Sequence, residues 1–428
     1  MPTISWTENS GTCSAHWHSE NAAPAPDRVV VADDGISARA AYRLVSGGTG
    51  LLWRGDFHNA RRLMSAVDRR LRANARPGPG ADAASLFHDH RAARARRAEL
   101  LGRLLVVLEA DRSLRLRRAP DVRDACRHAY GPPLADVTGQ ICVSLPELLG
   151  VLGAHQWHLK GVDIPALRAR IHPGYGVFSP VRGEYIDLVA DTPLPPAAPR
   201  PVVFDLGTGT GVLAAVLARR GARQVVATDI NRRAVECARA NLRRLGLADR
   251  TRVVEADLWP SGRADLVVCN PPWLPARPTS DLELGVYDPD SDMLRRFLDG
   301  LTGHLTPNGE GWLILSDLAE HLGLRTRAEL LTGIAEAGLR VASRHDTAPR
   351  HPRASDRADP LHEARAREIT SLWRLVPNSV PVEGISDIGA VRRRPGTIGT
   401  VRLPRKLTPS PGRSAAPSID DTCCETSG

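Results

Sequence analysis

The stretch Val202-Val203-Phe204-Asp205-Leu206-Gly207-Thr208-Gly209-Thr210-Gly211-Val212-Leu213 decides the fold of this chain. A mostly apolar strand runs into a turn with glycine at every second position, and the turn opens a helix over Val212–Arg220. Alternating glycines let the backbone approach a ligand closely and present its amides. A dinucleotide-binding turn wants its third glycine at position 212, where this chain has valine. Asp205 at the mouth of the turn would repel a pyrophosphate and suits a cationic amino group. The helix closes on Arg219-Arg220-Gly221, with cations in its last turn and glycine just beyond.

Outward from this turn, apolar runs and helical stretches alternate. Strands are expected at Val202–Leu206, Gln224–Asp229, Arg252–Ala256, Leu266–Asn270, Trp312–Ser316, Leu339–Arg344 and Ile369–Leu375. Helices fall between most of them, and strands six and seven are adjacent, which is the pattern of a parallel sheet with crossover helices. The second strand ends in Asp229, 18 residues after Gly211. A carboxylate there can accept both hydroxyls of a ribose. It can also, with Asn231, cap the helix Arg232–Leu245. The third strand ends in Glu255-Ala256-Asp257-Leu258.

The fourth strand closes on Val267-Val268-Cys269-Asn270-Pro271-Pro272-Trp273. Proline at 271 removes a backbone donor and stiffens the chain. Its carbonyl and the side-chain oxygen of Asn270 are then two acceptors side by side. Such a pair suits a planar nitrogen whose lone pair is delocalised: gripping its two N–H bonds favours a pyramidal geometry, and no strong base is needed beforehand. Trp273 would stack on a flat acceptor, at roughly 1–3 kcal/mol for a nucleic-acid base.

Asp205, Gly207, Gly209 and Gly211 resemble the first motif of the class I S-adenosylmethionine-dependent methyltransferases. Asn270-Pro271-Pro272-Trp273 resembles the motif of their amino- and amide-directed members. These include enzymes acting on exocyclic amines of adenine or guanine and enzymes methylating a glutamine side chain in peptide-chain release factors. The resemblance covers about Val177–Val376. The loop after Trp273 is similar to that of the glutamine-methylating enzymes. So is the Phe178-Ser179-Pro180…Glu184 approach, although Arg182 and Gly183 stand where that family has an acidic-Thr pair.

The resemblance implies an α/β, Rossmann-like sheet of seven strands, mostly parallel with the last antiparallel. It implies S-adenosylmethionine as cofactor, held by Asp205, Gly207, Thr208, Gly209, Gly211, Asp229 and Ile230. Asp257 would accept from the adenine amino group, Leu258 would pack on the ring, and Asn270 would border the donor. Asn270, Pro271, Pro272 and Trp273 would carry the chemistry. The partner is then a release-factor-like protein or an RNA or DNA substrate. Two other readings are a catalytically inactive module of the same fold that binds RNA, and a nicotinamide-dependent oxidoreductase, which Asp205 and Val212 disfavour.

Of the 57 basic residues only Lys160 and Lys406 are lysine, which reads as a compositional habit rather than selection for phosphate recognition. Location says more. Arg54 to Arg127 holds 18 Arg against 9 Asp and Glu, either a solvated helical face or a patch that attracts nucleic acid or acidic protein. Seven scattered cysteines without paired spacing read as reduced cytoplasmic thiols, and no metal site is expected. No run approaches the ~18 apolar residues of a membrane span, since Leu100–Leu108 is broken by Arg103, and residues 1–21 lack a secretory pattern.

Four regions are expected. Residues 1–29 read as a disordered N-terminus and 30–170 as a mainly helical accessory region for substrate recognition. Residues 171–376 read as the methyltransferase domain, entered through the proline-rich joint Pro193–Pro201, and 377–428 as a disordered tail.

Overall fold

The computed structural model describes residues 2–74, 82–132, 139–280, 282–350, 356–357 and 359–378. The Pro77–Gly80 interruption and the tail from residue 379 onward lie outside these.

The first 160 residues build a sheet. Its strands are β1 (Thr3–Glu8), β2 (Gly11–Trp17), β3 (Arg28–Ala32), β4 (Thr49–Trp53), β5 (Leu104–Leu108) and β6 (Ile141–Ser144), in the order β1-β2-β6-β5-β4-β3. Helices α1 (Ala38–Ser46), α2 (Phe57–Asn74), α3 (Ala83–Leu101), α4 (Arg123–Tyr130) and α5 (Leu145–Lys160) accompany it. Alternate residues of each strand face opposite ways. Leu51, Trp53, Val106, Leu108 and Val143 meet residues of α1, α2, α4 and α5, while Leu52, Leu105, Val107 and Cys142 meet Ile4, Trp6, Ala15 and Trp17.

One expectation is corrected here, and a second gains a sheet. Residues 1–29 are not a disordered arm: β1 and β2 form a hairpin turning at Asn9 and Ser10, both with positive φ, as a tight two-residue turn requires. The cue was the period-two placing of Ile4 and Trp6 among polar residues. Residues 30–170 carry the expected helices, α1 to α5, but pack them on strands that the sequence did not reveal. β4 and β5 are buried at all five positions, and such short apolar runs show no periodicity that separates a buried strand from a buried helix turn.

A short hairpin, β7 (Val162–Ile164) with β8 (Ala169–Ile171), and α6 (Glu184–Asp191) lead into the second sheet. Its strands are β9 (Val202–Leu206), β10 (Gln224–Asp229), β11 (Thr251–Glu255), β12 (Ala264–Cys269), β13 (Leu305–Ser316), β14 (Leu339–Thr347) and β15 (Thr370–Pro377). The order is β11-β10-β9-β12-β13-β15-β14, with β9 to β13 parallel and β15 antiparallel to both neighbours. This is the seven-stranded methyltransferase-like α/β arrangement expected, with the last strand reversed. Helices α7 (Val212–Arg219), α8 (Arg232–Arg244), α9 (Asp292–His304), α10 (Leu318–His321), α11 (Arg327–Glu336) and α12 (His362–Arg367) complete it. Val203, Val225, Val268 and Ile314 pack against α6, α7 and α8; Phe204, Val226, Val267 and Leu313 pack against α9 and α11. Strand order reverses between β9 and β12, opening a crevice at the carboxyl ends of the strands.

Two sets of contacts tie the preceding segments to that crevice. Asn241 of α8 donates to the carbonyls of His172 (3.0 Å) and Thr210 (3.1 Å) and accepts from the His172 amide, joining the entry segment to the glycine turn. Phe87 of α3 is buried with Leu274, Tyr287, Leu318 and Leu322, which seats α3 on the loop after Trp273. Among the described residues no helix is long and apolar enough to cross a membrane.

Candidate active site

The turn after β9 is drawn by its glycines. Gly207, Gly209 and Gly211 have φ of 68°, 54° and 80°. At Gly211 an added Cβ would also meet the backbone of Ala238 in α8 at 3.1 Å, so only glycine lets α7 and α8 pack. At Gly209 nothing lies within 4 Å of such an atom, leaving that side of the turn open.

Asp205 lies beneath the turn, 1% exposed. Its Oδ2 accepts from the Thr208 hydroxyl (2.7 Å) and from the Ala214 amide (3.0 Å), bracing the turn against the first turn of α7. Burial pushes its carboxyl up to about 6, against two hydrogen bonds that pull it down, and the nearby Asp229 adds to the rise. Thr208 is buried too, its hydroxyl spent on Asp205 and its amide on the Thr228 carbonyl.

Asp229 ends β10. Its two oxygens accept from the amides of Gly209 and Asn231, each at 2.9 Å, so it links the glycine turn to the start of α8. Each oxygen keeps a second lone pair for a hydroxyl of a ligand. Burial raises its carboxyl above the ordinary value. The helix cap is Asn231 itself, whose side chain accepts from the Arg233 amide. Ile230 beside it is 67% exposed, an apolar surface free to cover a flat ring. Asp257 is exposed and paired with Arg296 at 2.9 Å. Leu258 turns its side chain into the core beside Phe204 and Val226, and its carbonyl accepts from the Thr228 hydroxyl at 2.7 Å.

Asn270 follows β12, and Cys269 pairs with Leu206 of β9, so the Asn-Pro-Pro-Trp corner and the glycine turn leave the sheet from adjacent strands. The Trp273 indole N–H donates to Asn270 Oδ1 at 2.9 Å. The indole is half-buried, and the Arg182 guanidinium lies over its ring, 5.3 Å from the centroid. Arg182 donates to Glu368 at 2.9 Å, and the same Glu368 oxygen accepts from Ser316 at 2.7 Å.

The following loop closes at its base: the Leu274 amide donates to the Val286 carbonyl (3.2 Å) and the Asp288 amide to the Leu274 carbonyl (2.8 Å). Asp288 accepts from the amides of Met293 and Leu294, starting α9 and setting Met293 beside Gly207. From the first unit, the Arg91 guanidinium stacks on Tyr287 at 3.6 Å and bonds the Arg277 carbonyl.

Asp205, the three glycines, Asp229 and Asn270 thus gather at the carboxyl ends of β9, β10 and β12. Leu258 is buried in the core cluster of Phe204 and Val226. Sequence reasoning missed Glu368, Ser316 and Asp288. Asp288 had a cue, an acidic residue before proline just ahead of a helix; Glu368 and Ser316 had none.

Residues 175–327 match the family model described as "Methyltransferase small domain". A ribosomal protein L11 methyltransferase of Pelotomaculum thermopropionicum is 49% identical over 74 residues, 17% of this chain and 24% of that protein. A release factor glutamine methyltransferase of Cereibacter sphaeroides is 34% identical over 127 residues, 26% of this chain and 46% of that protein. The chain therefore spans less than half the length of either relative. The crystal structure of a ribosomal protein L11 methylase from Lactobacillus delbrueckii subsp. bulgaricus aligns with a TM-score of 0.33 at 18% identity, covering 49% of this chain and 86% of that one. The glycine turn, Asp229 and the Asn270 corner all fall inside the span, residues 175–327, that matches the methyltransferase small domain model.

Proposed function

We propose that the protein is an S-adenosylmethionine-dependent N-methyltransferase acting on a planar amide or amino nitrogen, of a protein glutamine side chain or a nucleic-acid base. The observation that carries this reading is the placing of Asn270 and Pro271 directly after β12, next to the glycine turn that follows β9. The residues present fit the cofactor. Gly209 leaves one side of the turn open, Asp229 has a free lone pair on each oxygen for a ribose, and Ile230 offers an apolar cover for the adenine. When bound, the cofactor supplies a sulfonium methyl as electrophile.

Asn270 Oδ1 and the Pro271 carbonyl hold the two N–H bonds of the acceptor nitrogen and bias its lone pair out of conjugation. Holding reactants in this way supplies on the order of 7–11 kcal/mol of barrier reduction in favourable cases. The nitrogen is poorly basic and loses its extra proton readily once alkylated, so water suffices to take it. The region before residue 171 is read as the part that recognises the substrate. The buried free thiols Cys126, Cys142, Cys237 and Cys269 suit a reducing cytoplasm.

Purified protein, labelled S-adenosylmethionine and cell extract test the reading. Label is expected in acid-insoluble material and is lost on either protease or nuclease treatment, which names the acceptor class. No incorporation above a heat-inactivated control would refute it.

The raised carboxyl of Asp205 gives a pH signature. A nearby cationic ligand favours the carboxylate, so proton uptake competes with binding below pH 6. From pH 7 to pH 5 the dissociation constant of S-adenosylmethionine is expected to rise roughly tenfold by calorimetry. Asp229, shifted the same way, adds in the same direction. Asp205→Asn should bind more weakly and with a flatter profile; a profile as steep as that of the unaltered protein would remove Asp205 from the effect.

A further inference from the structure

We propose that Arg182 is a positioning residue for the acceptor corner: anchored by buried Glu368, it fixes the Trp273 indole, which aims the side-chain oxygen of Asn270. The proposal rests on the N-methyltransferase reading above and adds a residue to it. It also assigns Trp273 a different task from stacking on the acceptor.

The chain of contacts begins at the end of β13. Ser316 donates to Glu368 at 2.7 Å, and Glu368, 1% exposed, accepts from Arg182 at 2.9 Å. A buried carboxylate needs a cation, and a planar guanidinium meets it with a fixed geometry. Thus held, Arg182 lies over the face of Trp273. A cation above an indole is attracted to its π-face and draws electron density from the ring, which makes the indole N–H a better donor. That N–H is spent on Asn270 Oδ1.

An indole nitrogen only donates, so the end of the Asn270 amide that faces it has to be oxygen. A flip of the amide would set an NH2 against an N–H. The contact therefore fixes the orientation in which the oxygen lies at the corner with a second lone pair for an acceptor N–H. Pro271 and Pro272 stiffen the backbone between the two side chains. Neither proline can turn the amide of Asn270; Trp273 can, and Arg182 holds Trp273. One face of the indole is already covered by a cation, which leaves that face no room for a flat acceptor. The usual acidic residue at position 182 would repel Glu368, and arginine at this place makes the pair possible.

The test reads the indole directly. The protein has eight tryptophans, so the 15N-labelled indole N–H signal of Trp273 is identified by its loss in Trp273→Phe. In Arg182→Gln the Trp273 signal is expected to move and to exchange faster with water. Methyl incorporation into extract should fall about 5- to 30-fold at saturating cofactor, with the affinity for S-adenosylhomocysteine unchanged. Arg182→Lys, which keeps the cation, should recover part of both effects. Glu368→Gln, which keeps the bond to Ser316, should move the same signal in the same direction by less. An unmoved Trp273 signal in Arg182→Gln overturns the positioning role, whatever the unaltered protein transfers. Absence of transfer by the unaltered protein overturns the N-methyltransferase reading instead, so the two failures are told apart.

Discussion

Asn270→Ala is expected to lower methyl incorporation into cell extract by roughly 10²–10³-fold, the range seen when one preorganised polar group is removed from a reacting centre. The substitution deletes one of the two acceptors at the corner and leaves the Pro271 carbonyl. It also frees the Trp273 indole, whose bond to Asn270 holds the corner in shape. Cofactor affinity should change by no more than about threefold, because the glycine turn is braced by Asp205 and Asp229 rather than by Asn270. Calorimetry with S-adenosylhomocysteine beside the labelled-methyl assay separates the two quantities. Undiminished transfer by the variant would contradict the assigned role; loss of cofactor binding alone would move Asn270 to the donor side of the site.

Asp229→Ala should act on the other half. Hydrogen bonds to a charged group are worth about 1.5–3 kcal/mol each, and losing those to a ribose should weaken S-adenosylhomocysteine binding on the order of 10²-fold. The same carboxylate also accepts from the amides of Gly209 and Asn231, so the loss could come through the turn rather than the ribose. A 2′-deoxy analogue separates these causes. If Asp229 holds the ribose, the analogue binds less well than its parent to the unaltered protein and equally well to the variant, as a thermodynamic cycle requires. An equal gap in both proteins would assign Asp229 to the turn alone.

The second sheet was legible because each of its cues is local. Glycine at 207, 209 and 211 can only be a special turn, and the strands on either side, β9 and β10, end where the apolar runs end. Asp205, Asp229 and Asn270 were legible as a set because a parallel sheet sends all its carboxyl ends to one edge. The first sheet was hidden. β4 and β5 are buried on both sides, so they show none of the alternation by which a half-exposed strand is recognised. The Glu368 to Trp273 chain was hidden for another reason: its members are 186 and 91 residues from Arg182, and only the folded chain brings them together. The burial of Leu258 in the core was not legible, because a strand-end position does not reveal its positive φ, here 73°.

The seating of Phe87 and Arg91 on the loop after Trp273 bears on how this chain can be divided. A fragment beginning at residue 175 would contain the whole span matched by the family model, yet it would strip the cover of Phe87 from Leu274, Tyr287, Leu318 and Leu322. Those side chains would face water beside the loop that follows the Asn270-Pro271-Pro272-Trp273 corner. The matched portion is therefore not an interchangeable cassette: any graft onto a new N-terminal part has to bring a helix that fills the place of Phe87, and drift at that position must be answered across the seam.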